Sequence, residues 1–164
     1  MEKWRIYLQE ARTQIRFALR SYSEFERARY AGDVETVFYS LHHFIVHVAN
    51  VDRILDVKPG SERATILAGR IDLQGLNMKI ARKLRNHLEH FDERLDRWIS
   101  MYYGHAFFDM NITTGSTGFP YHAALRALDG DTVRFFGEAY LLPDVIKGIG
   151  ELDVRLAAIE DSTC

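Results

Sequence analysis

The segment Arg85-Asn86-His87-Leu88-Glu89-His90 gathers a permanent cation, an amide, a carboxylate and two imidazoles into about a turn and a half of expected helix. Arginine holds charge on a phosphate at any physiological pH, and histidine moves a proton near neutrality. Such groups can cleave a phosphodiester without a metal. A histidine takes the proton of a 2′-hydroxyl or protonates the leaving oxygen, an arginine stabilises the charge growing on phosphorus, and an amide orients either one. At helical periodicity Asn86 and His90 share a face, Arg94 and Arg97 continue near it, and His87 stands between that face and the apolar stripe. Arg85 lies about 140° from His90 around the helix axis. The two converge if Arg85 curls back, or if a second copy of the helix supplies its own arginine.

Leu84 to His90 resembles the signature of the HEPN superfamily, an arginine followed a few residues later by a histidine, with a polar residue such as asparagine often directly after the arginine. The setting is similar too, a helix late in a bundle of four or five. The likeness covers about residues 2–100 loosely and the hexapeptide specifically. It implies a metal-independent endoribonuclease of a toxin or defence system, working as a homodimer on RNA, with an antitoxin protein as a possible partner and no cofactor. Other members of the superfamily only bind. Carried over by position, the catalytic set is Arg85, Asn86 and His90, and the products end in a 2′,3′-cyclic phosphate. His43, His47, His87, Arg94 and Arg97 are then the candidate RNA-gripping side chains. Arg82 and His87 satisfy the same spacing, but Asn86 follows Arg85 whereas Lys83 follows Arg82, which favours the later frame. The competing reading is a solvated helix face held by Arg85–Glu89 and His90–Arg94 neighbours.

Other clusters carry less. His43, His47 and Asn50 make a polar stripe on an otherwise apolar helix, which suits interior histidines, an RNA contact, or a metal completed by His87, Glu89 or His90. A carboxylate-bridged metal bundle wants Glu-x-x-His, and the matching offsets, Glu24 to Arg27 and Glu35 to Phe38, do not end in histidine; no metal site is assigned. Arg12, Arg16 and Arg20 form a row that either tracks phosphates or faces water, and Glu24 continues it with opposite sign. Tyr102, Tyr103, Phe107 and Phe108 can stack on bases or cover the bundle end. Gly115-Ser116-Thr117-Gly118 lacks the lysine of a phosphate loop.

These groups need elements to position them. Trp4, Leu8, Ala11, Ile15, Ala18, Leu19, Tyr22 and Phe25 predict a helix over about 2–30, ended by Gly32, with Asp33 capping a second over about 34–56. Lys58-Pro59-Gly60 breaks the chain, and Ser61 and Glu62 open a short third helix to about 70. Leu76, Ile80, Leu84, Leu88, Phe91, Leu95 and Trp98 predict one continuous helix over about 73–99. His105 to Ile112 reads as a strand, and 123–128 with 132–136 read as strands around the Asp129-Gly130-Asp131 turn. A last helix spans about 143–160. The expectation is mainly α: an up-and-down bundle of four to five helices with a small β-hairpin appendage at about 101–142, in one domain covering 1–164. With 164 residues and 47% hydrophobic content the chain can bury a core, and a net charge of −2 argues against a general nucleic-acid coat. One cysteine, Cys164, excludes an intramolecular disulfide. The charged N-terminus and the lack of a long apolar run point to a cytoplasmic protein with no membrane partner.

Overall fold

The helix boundaries follow from local chemistry. A computed structural model describes residues 2–74, 79–101, 108–115 and 118–161. Helix α1 (Lys3–Ala31) buries Trp4, Leu8, Ala11, Ile15, Ala18, Phe25 and Ala28, while Tyr22 of the expected stripe is half-buried and Leu19 is exposed. Gly32 closes it at φ 72, a left-handed backbone that glycine reaches without strain, and its N–H reaches back to the end of the helix. The next residue starts α2 (Val34–Leu55), the Asp33 carboxylate accepting from the Thr36 N–H. This two-residue link makes α1 and α2 an antiparallel hairpin. Ser61 caps the short α3 (Glu62–Leu67).

The expected fourth helix is two helices. It starts later than its apolar pattern suggests, because Asp72 folds an Asx-type turn onto the Gln74 N–H at 2.8 Å, and Arg155 holds the Asp72 and Gln74 carbonyls. Helix α4 (Lys79–Glu89) then runs to His90, whose backbone leaves the helical region at φ −107 and ψ 38, and α5 (Phe91–Ser100) follows at once. The His90 N–H still bonds the Asn86 carbonyl, and its carbonyl accepts the Arg94 N–H. The interruption therefore spans one residue. Leu76 of the expected stripe lies outside the described residues.

The sheet is larger than a hairpin. Strands β1 (Asn111–Thr113), β2 (Arg126–Asp129), β3 (Thr132–Phe135) and β4 (Glu138–Leu141) pair in that order, β1 parallel to β2 and the others antiparallel. Residues 108–110 are not strand, and 105–107 of the expected strand lie outside the described residues. Helix α6 (Leu142–Asp161) leaves β4 directly and packs back on α1, where Arg12 meets Asp153 at 3.5 Å. One hydrophobic cluster joins the layers: Phe25, Phe44, Val48 and Leu84 of the helices touch the same core as Leu128, Val133, Phe135 and Tyr140 of the sheet and Ile149, Leu152 and Leu156 of α6. The molecule is thus a helical bundle with a small β appendage built into its core. Among the described residues no helix is long and apolar enough to cross a membrane.

Candidate functional site

Helix α4 is fastened on two sides. Toward α2, Arg82 donates from Nε to the Asp52 carboxylate at 2.5 Å and from a terminal nitrogen to Asp56 at 3.1 Å. Asp52 is buried, so this pair supplies the countercharge that a buried carboxylate requires. The Asp52 hydrogen bond raises the Arg82 pKa further above its already high value. Toward the sheet, His87 is buried against the stacked ring of Phe135, with Nε2 2.8 Å from the Tyr140 hydroxyl. Tyr140 gives its proton to Glu138 at 2.6 Å. His87 Nε2 therefore carries the hydrogen and donates to the Tyr140 oxygen, which leaves Nδ1 as a bare lone pair. Nδ1 is buried and has no hydrogen-bond partner among the described residues.

Burial pushes the His87 pKa down; Glu138 opposes the shift and Arg94 adds to it. Burial, then Glu138, pushes Tyr140 up, and the Tyr140 hydroxyl pulls Glu138 down. All three shifts favour one state: neutral His87, protonated Tyr140 and ionised Glu138. This is a structural latch between α4 and β4.

The expected catalytic residues occupy the rest of the α4 surface. Arg85 is largely covered and ion-paired to Glu89, one turn on, as the competing helix-face reading expects; its side chain is 13% exposed and that of Glu89 39%. The other Glu89 oxygen lies 3.7 Å from Arg53 of α2. Asn86 is exposed. His90 projects from the break with 55% of its side chain exposed, its Nδ1 3.3 Å from Glu93 rather than beside the Arg94 side chain.

The expected RNA-gripping residues separate. His87 is sealed in the latch, so its imidazole faces the sheet instead of a ligand. Arg94 is half-buried close to His87 and Tyr140, its Nε without a hydrogen-bond partner among the described residues. Exposed Arg97 lies 6.0 Å over the Phe136 ring, also on the sheet side. His47 turns toward α1, and His43 packs along its own helix. His47 Nδ1 meets the Gln14 side-chain oxygen at 2.8 Å, its ring packs on Phe17, and His43 packs on Tyr39. Burial, then His43, lowers the His47 pKa. Among the described residues no three His, Cys, Asp or Glu side chains gather as metal ligands. The Arg12 and Arg16 members of the arginine row are engaged, by Asp153 and by Thr13. Tyr102, Tyr103, Phe107 and Cys164 lie outside the described residues.

One feature was not legible as a site. An open groove of about 740 Å³ runs beside the α2–α3 connection, lined by Tyr7, Arg53, Lys58, Arg63 and Arg82, with Asp56 and Glu62 on its walls. Arg82, shared with Asp52, pairs with Asp56 at 3.1 Å, and Lys3 pairs with Glu62 at 2.9 Å. The sequence shows Lys58-Pro59-Gly60 only as a chain break, because the groove collects residues from four helices and a loop. Through Glu89, Arg53 links this groove to Arg85. No family model matches the chain, and no curated protein or solved structure is significantly similar to it.

Proposed function

We propose that this chain is a HEPN-like, metal-independent endoribonuclease that acts as a homodimer. The supporting observation is how α4 uses its two overlapping Arg-x4-His frames. Arg82 and His87 are consumed in packing contacts to Asp52 and Tyr140, so the earlier frame has no free chemistry. Arg85 sits instead on a carboxylate that solvent reaches, and Asn86 and His90 stand in water. In the proposed reaction His90 removes the 2′-hydroxyl proton, the 2′-oxygen attacks phosphorus, and the 5′-oxygen leaves with a proton from His90 of a second copy. Arg85, exchanging Glu89 for phosphate, stabilises the dianionic transition state, and Asn86 orients the phosphate. The products are a 2′,3′-cyclic phosphate and a 5′-hydroxyl. Pairing two copies also answers the helical geometry, which sets Arg85 and His90 of one copy on different flanks. The resemblance extends the proposal to a toxin or defence role with a neutralising antitoxin.

The test is RNA cleavage by purified protein in EDTA, beside His90→Ala, with product ends mapped. Cleavage by the native protein alone, leaving cyclic phosphates, is the expected result. Intact RNA in the presence of folded protein overturns it. The Arg85–Glu89 pair favours a second reading, a non-catalytic HEPN-like module that holds RNA, because Arg85 already has a countercharge. Binding without cleavage identifies that case.

A further inference from the structure

We infer that the groove beside the α2–α3 connection is the track that holds the phosphate backbone of a single RNA strand as it approaches Arg85 and His90. The inference deepens the RNA reading and rests on it for the ligand. Three observations carry it. First, each groove carboxylate already has a cation partner, Glu62 on Lys3 and Asp56 on Arg82, which it shares with Asp52, so neither draws on the remaining cations that face the opening. Those cations are Lys58, exposed and without an ion pair among the described residues, Arg63, and Arg53, whose pairing with Glu89 is loose at 3.7 Å. Second, the wall has flat surfaces. The Arg63 guanidinium lies 5.9 Å over the half-buried Tyr7 ring, and such an arginine–tyrosine pair can support a stacked base. Third, one carboxylate joins the groove to the proposed site, because Glu89 lies 3.7 Å from Arg53 on one oxygen and pairs with Arg85 on the other, so a phosphate that displaces Glu89 from Arg53 also frees Arg85.

A pocket of about 740 Å³ lies within the range of roughly 300–1,000 Å³ usual for ligand sites, and its charged side chains are the cations Arg53, Lys58, Arg63 and Arg82 against the carboxylates Asp56 and Glu62. That composition fits an extended anion better than a neutral metabolite. For single strands the logarithm of affinity falls with the logarithm of salt at about 0.7 per neutralised phosphate, so three cations predict a groove contribution to the slope of about −2.

The experiment uses the full chain and a fluorescent oligoribonucleotide blocked by 2′-O-methylation, so that binding is read without cleavage. Anisotropy titrations over a range of salt compare the native protein with Lys58→Ala, Arg63→Ala and the pair, and with Arg16→Ala on the exposed face of α1 as a charge control. Circular dichroism melts confirm that each variant folds. The expected result is a loss of about threefold or more for each groove variant and a salt slope shallower by about 0.7 per cation removed, with Arg16→Ala close to native. RNA bound equally by native and groove variants overturns the track and leaves the RNA reading standing. Folded native protein that binds no RNA at low salt overturns both.

Discussion

Replacing Tyr140 with phenylalanine tests the latch that holds α4 to the sheet. The change removes one oxygen and keeps the ring, which is 7% exposed, so packing in the core is preserved. The lost oxygen is the acceptor for His87 Nε2–H at 2.8 Å, and the His87 side chain is 8% exposed. In the variant His87 Nε2–H is left with only the Glu138 carboxylate 3.6 Å away, and Nδ1 has no hydrogen-bond partner among the described residues. Leaving a buried donor unsatisfied costs about 1–3 kcal/mol. The lost Tyr140–Glu138 bond adds little, because the Glu138 side chain is 63% exposed and recovers water. The expected destabilisation is therefore about 1–2 kcal/mol, which for a domain of this size lowers Tm by about 2–8 °C.

The pH dependence supplies a second reading of the same contact. The folded pKa of His87 lies below its ordinary value of 6.5, so protonation favours the unfolded chain. The contribution is fully present above about pH 6.5 and is lost as pH falls below it toward the folded value, by at most about 1.4 kcal/mol per pH unit. His87→Phe, which keeps a flat ring against Phe135, should remove that part of the slope, and His87→Phe with Tyr140→Phe should be more stable than Tyr140→Phe alone. Urea unfolding at several pH values measures all of these. If Tyr140→Phe melts within 1 °C of native (well inside the expected shift), or if His87→Phe keeps the native slope, the latch contributes nothing and the argument is wrong.

Two further outcomes follow from the ion pairs. Arg82→Ala removes the arginine countercharge from the buried Asp52 carboxylate and should cost about 2–4 kcal/mol, below the largest values for buried pairs because Arg82 is 43% exposed; a loss under about 1 kcal/mol in urea would show that other groups around Asp52 compensate it. Glu89→Gln releases Arg85 and Arg53 from their shared countercharge and should tighten RNA binding by about two- to tenfold at low salt, with a steeper salt dependence in anisotropy titrations; weaker binding would mean that Glu89 positions Arg85 instead of masking it.

The helices were legible because burial leaves a periodic mark. Trp4, Leu8, Ala11, Ile15, Ala18 and Phe25 are all buried on α1, and Gly32 and Asp33 end and begin helices through their own backbone and side-chain chemistry. The break at His90 leaves no such mark. Leu84, Leu88, Phe91, Leu95 and Trp98 keep helical spacing across it, and it needs no glycine or proline. The Asp129-Gly130 turn between β2 and β3 follows usual hairpin chemistry, but the next turn does not. Phe136 and Gly137 have φ 55 and φ 81, a pattern that asparagine–glycine signals and a bulky aromatic hides. Strand β4 was hidden with it, and so was Tyr140, the partner that gives His87 its role; β1 overlaps the expected strand at Asn111 and Ile112, but its parallel pairing left no mark. The groove was illegible for a different reason. Its cations come from α2, α3, α4 and a loop, so no spacing in the chain brings them together.

The two frames on α4 show why spacing alone cannot choose between them. Both pairs sit five residues apart, but Arg82 and His87 lie within α4 whereas His90 stands at the break that ends it, and their neighbours differ. Arg82 faces Asp52 and His87 faces Tyr140, and each of these contacts joins α4 to a different part of the core. Substitutions there should move Tm and its pH dependence, and should change RNA chemistry only as far as they loosen α4. Asn86 and His90 are exposed, and Arg85, though largely covered, meets a carboxylate on its own helix. Substitutions there should leave Tm close to native while changing RNA binding or cleavage. The two sets therefore separate in one experiment, a melt and a cleavage assay run on the same four alanine variants, Arg82, Arg85, His87 and His90. If His87→Ala abolishes cleavage while melting like the native protein, and His90→Ala cleaves normally, the catalytic frame is the earlier one and His87 must leave its latch to act.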